Sequence, residues 1–162
     1  MRRLFLVLPA FLLWAFTAPP AVSANYQAGV NASLAGNYGA ALAEWAPLAE
    51  QGDATPQFQL GWLYEKGLGV AKNAPAAVKW YRQAAEQGYA FAQSALGRMY
   101  EAGRGVARDP ARAHMWFSLA AASWDQDAGQ YRDRVAGGMT PAQLATAGKM
   151  AGACIAKRFT GC

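Results

Sequence analysis

The sequence has little of what a β-sheet needs. It contains one isoleucine (Ile155) and few valines against 38 alanines, a balance that favours helices over strands. With 54% hydrophobic and 15% charged residues, it is too apolar for an intrinsically disordered chain. It also lacks the repeated long apolar spans of a polytopic membrane protein. We therefore expect an all-helical globular chain.

Side chains that carry out chemistry are also scarce. There are two cysteines, Cys154 and Cys162, and a single histidine, His114. These three residues do not make four convergent ligands at a familiar zinc spacing, so no metal or other cofactor is expected. His114 has no cysteine, serine or carboxylate at a spacing that indicates a catalytic triad, and no G-x-S-x-G nucleophile elbow occurs. These absences predict a protein that is not an enzyme.

Residues 1–24 have the pattern of a secretory signal peptide. A positive start with Arg2 and Arg3 precedes an apolar run, and Val22-Ser23-Ala24 forms a small-residue cleavage site. A membrane anchor is the alternative, but an apolar run of about 13 residues is shorter than the ~20 that span a bilayer. We predict cleavage after Ala24, a periplasmic or secreted location, and no membrane anchor afterwards.

Part of the positive net charge of the chain comes from the predicted signal peptide. Loss of residues 1–24 lowers the formal charge from +5 to +3, because Arg2 and Arg3 are removed. The remaining basic residues are scattered from Lys66 to Arg158 with carboxylates between them. A nucleic-acid-binding surface needs a dense basic cluster, so no nucleic-acid partner is expected.

The two cysteines lie eight positions apart near the end of the chain. In an oxidising compartment, an even pair this close is most simply a disulfide. We therefore predict a bond between Cys154 and Cys162 that fixes the C-terminal tail to the last helix.

The chain repeats itself with a period of 36 residues. Residues 52–85 align with residues 88–121, and residues 41–52 match residues 77–88 at the same offset. A period of this length is typical of solenoids, in which stacked units bury a shared core. Matching positions in the two complete copies include Leu60-Gly61 with Leu96-Gly97, Tyr64-Glu65 with Tyr100-Glu101, Gly67-x-Gly69-Val70 with Gly103-x-Gly105-Val106, and Trp80 with Trp116.

Each unit has the start and stop signals of two helices. Thr55 before Pro56 and Asp109 before Pro110 predict N-caps, since proline is tolerated in the first turn. Gly67 and its repeat equivalent fall where a helix would end in a left-handed residue. Together with the period, these signals predict an all-α right-handed solenoid of antiparallel helix pairs over residues 25–122, comprising a half-repeat and two full repeats.

The segment after the repeats predicts a C-terminal cap. Residues 125–136 form an amphipathic pattern, Gly137-Gly138 interrupts it, and Thr140-Pro141-x-Gln143 has the spacing of a capping box. Terminal units of a solenoid must cover its last apolar face. We therefore expect residues 123–162 to form capping helices and a tail.

The repeats resemble the Sel1-like repeat, a relative of the tetratricopeptide repeat. The string Ala-x5-Leu-Gly-x2-Tyr-x2-Gly-x-Gly-Val-x2-Asp-x6-Trp-Phe-x2-Ala-Ala runs from Ala90 to Ala121 and is nearly complete from Ala54 to Ala85. The resemblance implies an adaptor or regulator that binds a protein or peptide, and we expect a monomer. The alternative is a cell-envelope enzyme or ligand-binding protein that acts on peptidoglycan or β-lactam-like substrates.

Positions that the two repeats do not share are the best candidates for binding. First helices line the concave face in tetratricopeptide-like stacks, and here they carry Phe58 and Trp62 in one unit and Phe91 and Arg98 in the next. Tryptophan and arginine are enriched at interaction hot spots. These four residues are the predicted binding face, with ordinary packing between repeats as the alternative for Phe58 and Trp62.

Overall fold

The computed structural model describes residues 22–123 and 125–162, and within these residues it contains eight helices and no strand. The predicted signal peptide therefore lies mostly outside the described residues, and Val22–Ala24 of its proposed cleavage site form the first turn of α1. The helices are α1 Val22–Leu34, α2 Tyr38–Glu50, α3 Ala54–Lys66, α4 Ala74–Ala85, α5 Ala90–Ala102, α6 Pro110–Ala122, α7 Gln126–Ala136 and α8 Pro141–Ala156.

Consecutive helices pack as antiparallel pairs and form an all-α solenoid. Helix α1 pairs with α2, α3 with α4, and α5 with α6, and each second helix also packs on the first helix of the next pair. The sequence alignment detected only the second helix of the first pair. The connection between α1 and α2 is four residues shorter than the one between α3 and α4, which shifts α1 out of the 36-residue register.

A glycine in each first helix lets an aromatic ring of the second helix pack against the backbone. A Cβ atom at Gly61 would lie 2.5 Å from Cδ1 of Tyr81, closer than packed carbon atoms approach. The same arrangement occurs in all three pairs. The glycine and ring pairs are Gly29 with Trp45, Gly61 with Tyr81, and Gly97 with Phe117.

Most of the predicted helix ends are confirmed. Asp109 and Thr140 accept hydrogen bonds at the N-termini of α6 and α8, and the Thr140 capping box is complete. Asn73, the repeat equivalent of Asp109, caps α4 in the same way. Gly67 is left-handed, with φ 74°, as is its repeat equivalent. The prediction for Thr55 is wrong, because α3 begins one residue before it and Asp53 is the N-cap, accepting from the Thr55 N–H.

Two buried glutamines connect successive pairs at equivalent positions. The Gln57 amide donates to the carbonyl of Ala49 at 3.1 Å, and the Gln93 amide donates to the carbonyl of Ala85 at 3.2 Å. Each of these carbonyls lies near the C-terminal end of the preceding helix and also accepts from a backbone N–H of the following turn, that of Gly52 or Gly88. Gln87, in the turn after α4, also donates to Gln57 Oε1 at 2.8 Å. A chain of side-chain hydrogen bonds therefore runs from that turn through Gln57 to the end of α2.

The cap departs from the geometry of the repeats. Helix α7 packs on α6 as the first helix of a further pair would, but α8 packs on α6 instead of forming a hairpin with α7. Met115 of α6 is buried, whereas Lys79, its equivalent in α4, is exposed. The apolar residue at this position matches the extra cover that α8 gives to α6.

The disulfide between Cys154 and Cys162 is confirmed, with a Cα–Cα distance of 5.4 Å. It closes the tail back onto the end of α8. Within that loop Phe159 adopts a left-handed φ of 68°, and its ring lies against the turn at Gly88. The tail therefore packs on the turn between α4 and α5 as well as on its own helix.

Loss of this disulfide is expected to lower the free energy of unfolding by about 2–3 kcal/mol, because the cross-link restricts a short loop in the unfolded chain. Urea denaturation with and without reductant measures the difference, and the Cys154→Ser/Cys162→Ser double variant should not respond to reductant. Alkylation of the unreduced protein should add no mass. Labelling of both thiols in freshly exported protein would contradict the bond.

Candidate functional site

The four predicted binding residues lie on two neighbouring first helices. Phe58 and Trp62 belong to α3, and Phe91 and Arg98 belong to α5. Trp62 and Arg98 occupy equivalent positions one repeat apart. The structure gives these residues different surroundings.

Phe58 lies at the centre of an aromatic cluster that includes Phe91. Its ring centroid is 5.7 Å from that of Tyr81, 5.4 Å from Tyr89 and 6.3 Å from Phe91. Tyr81 is buried, while Phe91 is 57% exposed. We call Phe58, Tyr81, Tyr89 and Phe91 the aromatic cluster; it joins the core to the surface, with Phe91 as its exposed member.

Sequence reasoning missed Tyr89 as a member of the cluster. It precedes α5 at the N-cap position but makes no side-chain capping bond, whereas Asp53 caps α3 at the equivalent position. The sequence did contain one signal that could have identified Tyr89: it is aromatic at the position where the other repeat has a capping residue. Burial raises the pKa of the Tyr89 hydroxyl above its usual value, so Tyr89 is neutral at physiological pH.

Trp62 contributes to packing between pairs. Its ring lies 5.9 Å from that of Tyr38 in an edge-to-face arrangement, and its side chain contacts both core clusters of the protein. It is nevertheless only partly buried. The ring of Trp62 therefore packs between the helix pairs and remains partly accessible to solvent.

Arg98 is half-buried and has no ion pair among residues 22–123 and 125–162. The carboxylate of Glu65 on α3 is already used by other groups. Its Oε2 accepts from the Tyr81 hydroxyl at 2.7 Å, and its Oε1 pairs with Arg104 at 3.1 Å. Burial and the hydrogen bond to Glu65 raise the pKa of Tyr81, while the charges of Arg98 and Arg104 oppose that rise. Arg104 therefore lies close to the Tyr81 hydroxyl through their shared partner Glu65, and the charge of Arg98 also acts on that hydroxyl.

Glu101, the repeat equivalent of Glu65, has a structural role. Arg134 of α7 donates to both of its carboxylate oxygens, at 2.8 to 3.2 Å. Each glutamate thus pairs with an arginine from the next unit along the solenoid. The two carboxylates therefore hold neighbouring units together.

His114 has a serine neighbour that sequence reasoning missed. Ser118 Oγ lies 3.5 Å from His114 Nδ1, one helical turn away on α6. The Ser118 hydroxyl, however, donates to the carbonyl of His114 at 2.8 Å, a common bond for serine inside a helix. Burial and the nearby Arg132 lower the pKa of His114. The contact is explained by helix geometry, and the nearby Asp133 carboxylate is paired with Arg132.

No group of three or more potential metal ligands occurs in the described part of the chain. Among the same residues, no helix has the length and apolar character to cross a membrane.

The Sel1 repeat model matches residues 57–89 and 90–123. These segments are the two units that the 36-residue period marks, with boundaries near the N-termini of α3 and α5. The chain therefore contains two Sel1 repeats. Sel1 repeats generally act as scaffolds for protein–protein interaction. No protein of curated function matches this chain.

Solved structures of other repeat proteins share its fold. One is c5321, described as a protective antigen present in uropathogenic Escherichia coli strains and displaying an SLR fold. It is 28% identical over 85% of this chain, with a TM-score of 0.80. A Sel1 repeat protein from Oxalobacter formigenes is 36% identical over 66% of this chain, with a TM-score of 0.62. This chain spans 31% and 46% of the lengths of these two proteins, respectively.

Proposed function

We propose that this protein is a periplasmic or secreted, non-catalytic adaptor or regulator that binds a protein or peptide as a monomer. The observation that carries the proposal is the exposed ring of Phe91, on the same helix as Arg98, which has no ion pair within the described part of the chain. Aromatic and arginine side chains contribute most to binding energy at protein interfaces. By analogy with tetratricopeptide-like stacks, the first helices α3 and α5 would present these groups on a concave face.

Two features support a location outside the cytoplasm. Residues 1–24 have the pattern of a cleaved signal peptide, and the chain contains a disulfide, a bond that persists mainly in oxidising compartments. The description of c5321 as a protective antigen agrees with this location.

Truncation of the exposed ring tests the binding surface. We expect Phe91→Ala to weaken partner binding by about 2 kcal/mol or more and to leave the melting temperature nearly unchanged, because Phe91 adds little to the core. Ile155→Ala is the matched control, since Ile155 is 55% exposed but lies on α8. The measurement is retention of the protein captured from envelope extract, together with thermal unfolding. Equal retention by wild type and Phe91→Ala would contradict the proposal.

Trp62→Ala and Arg98→Ala define how far the surface extends. A large fall in the melting temperature of Trp62→Ala would assign Trp62 to the core, whereas a stable variant that loses its partner would place it in the binding surface. Arg98→Ala should leave folding nearly unchanged.

Incubation with muropeptides and with a β-lactam separates an adaptor from an envelope enzyme, since turnover or covalent labelling would favour the enzyme.

A further inference from the structure

The surface between α3 and α5 has two chemically different ends. The aromatic cluster lies at the N-terminal end of α5, where Phe91 is the second residue of the helix. Arg98 follows seven residues later, which places it on nearly the same face and ~10 Å further along the axis. The surface is thus apolar at one end and cationic at the other.

The cationic end has an excess of positive charge. The Tyr81 hydroxyl extends from the aromatic cluster to Glu65, near the C-terminus of α3. Arg104 pairs with Glu65 there, and the charges of Arg98 and Arg104 both act on that hydroxyl. Because Glu65 also accepts from Tyr81, both of its oxygens are occupied. Lys66, at the C-terminus of α3, is exposed and adds a further cation. The positive charge of a half-buried guanidinium is costly when no anion pairs with it, and a carboxylate of an acidic ligand would supply that anion.

The apolar end lies on the side of a carboxylate. Asp53 caps the N-terminus of α3, at the position equivalent to that of Tyr89 before α5, and its negative charge adds to the burial that raises the pKa of Tyr89. An acidic group on a partner would be repelled at this end and attracted at Arg98. The charge distribution therefore fixes the direction in which a charged partner would lie.

We infer that this surface binds an acidic peptide segment whose apolar anchor packs on Phe91 and whose carboxylate pairs with Arg98. The inference rests on the proposed binding function and adds the chemical class of the partner. An extended peptide advances ~3.3 Å per residue, so an acidic residue three positions from the anchor spans the ~10 Å between the two groups. The anchor lies toward the N-terminus of α5 and the carboxylate toward its C-terminus.

Selection from a displayed library of random twelve-residue peptides tests the inference without an identified partner. The peptides that bind the intact protein are expected to combine a large apolar residue with Asp or Glu about three positions away. A fluorescein-labelled synthetic copy of an enriched peptide then gives dissociation constants by anisotropy. Binding should weaken as salt rises from 0.05 to 0.5 M, because a charge pair contributes to it.

Variants locate the two contacts. Arg98→Glu and Phe91→Ala should each weaken peptide binding about tenfold or more, and Arg98→Lys should retain most of it. Lys149→Glu makes a comparable charge reversal on an exposed residue of α8, and Ile155→Ala removes an equally exposed apolar side chain. Both controls should bind as wild type does. Thermal unfolding checks that each variant is folded, and the salt dependence of wild type requires no variant.

The experiments distinguish failure of the acidic-peptide inference from failure of the proposed binding surface. Enriched peptides that are neutral or basic, or whose binding ignores salt and Arg98→Glu but requires Phe91, would overturn the acidic partner and leave the proposed binding surface intact. Absence of enrichment, or binding that none of the α5 variants weakens, would overturn both the acidic partner and the binding surface.

Discussion

Gly105→Ala is expected to destabilise the protein by about 3 kcal/mol or more. Gly105 has a φ of 69°, a left-handed conformation that costs an L-residue roughly 1–2 kcal/mol. A Cβ there would also collide with the backbone of Ala74 and lie 2.7 Å from the nitrogen of Pro75. Overpacking adds about 1–3 kcal/mol, and this backbone cannot move without displacing the start of α4. Urea denaturation of Gly105→Ala and wild type measures the loss of unfolding free energy.

Gly36→Ala measures the cost of the left-handed backbone without a steric clash. Gly36 has a similar φ of 76°, but a Cβ at this position would have no neighbour within 4 Å. This variant should therefore lose only about 1–2 kcal/mol of unfolding free energy. Equal losses for Gly36→Ala and Gly105→Ala would show that the close approach of the loop after α5 to α4 does not contribute to stability.

Trp116→Ala is expected to lower the free energy of unfolding by about 3–5 kcal/mol. Trp116 is 1% exposed, and truncation of a buried tryptophan leaves a cavity that the surrounding helices fill only in part. The loss is a large share of the roughly 5–15 kcal/mol that stabilises a typical domain. Thermal or urea unfolding followed by circular dichroism at a helical band measures it.

Trp80→Ala is the repeat-matched control. Trp80 stands 36 positions before Trp116 but is only partly buried, with Lys79 Nζ 5.6 Å from its ring centroid. Helix α6 is packed by α5, α7 and α8, whereas α4 packs mainly between α3 and α5. We expect a loss on the order of 1–2 kcal/mol for Trp80→Ala. A loss equal to that of Trp116→Ala would mean that the cap adds nothing to the burial of Trp116.

The binding surface shows where sequence reasoning stopped. The repeat alignment identified Phe58 and Phe91 because they differ between the units, but it could not show that their rings meet. It missed Tyr89, which joins them only because the turn between α4 and α5 brings it back to α3. It also could not show that Arg98 lies without an ion pair, since that depends on Glu65 being occupied by Tyr81 and Arg104.

The sequence by itself determined much of the local structure of this protein: the helices of the two complete repeats and of the cap, several of their helix ends, the 36-residue period and the disulfide. These features depend on residues that are close in the chain, such as Asp109 and the Arg112 N–H that it accepts from. The tertiary structure alone decided that α1 completes a pair and that α8 packs on α6. It also decided which arginine each glutamate binds, because residues far apart in the chain meet only when the helices stack and bury a common core.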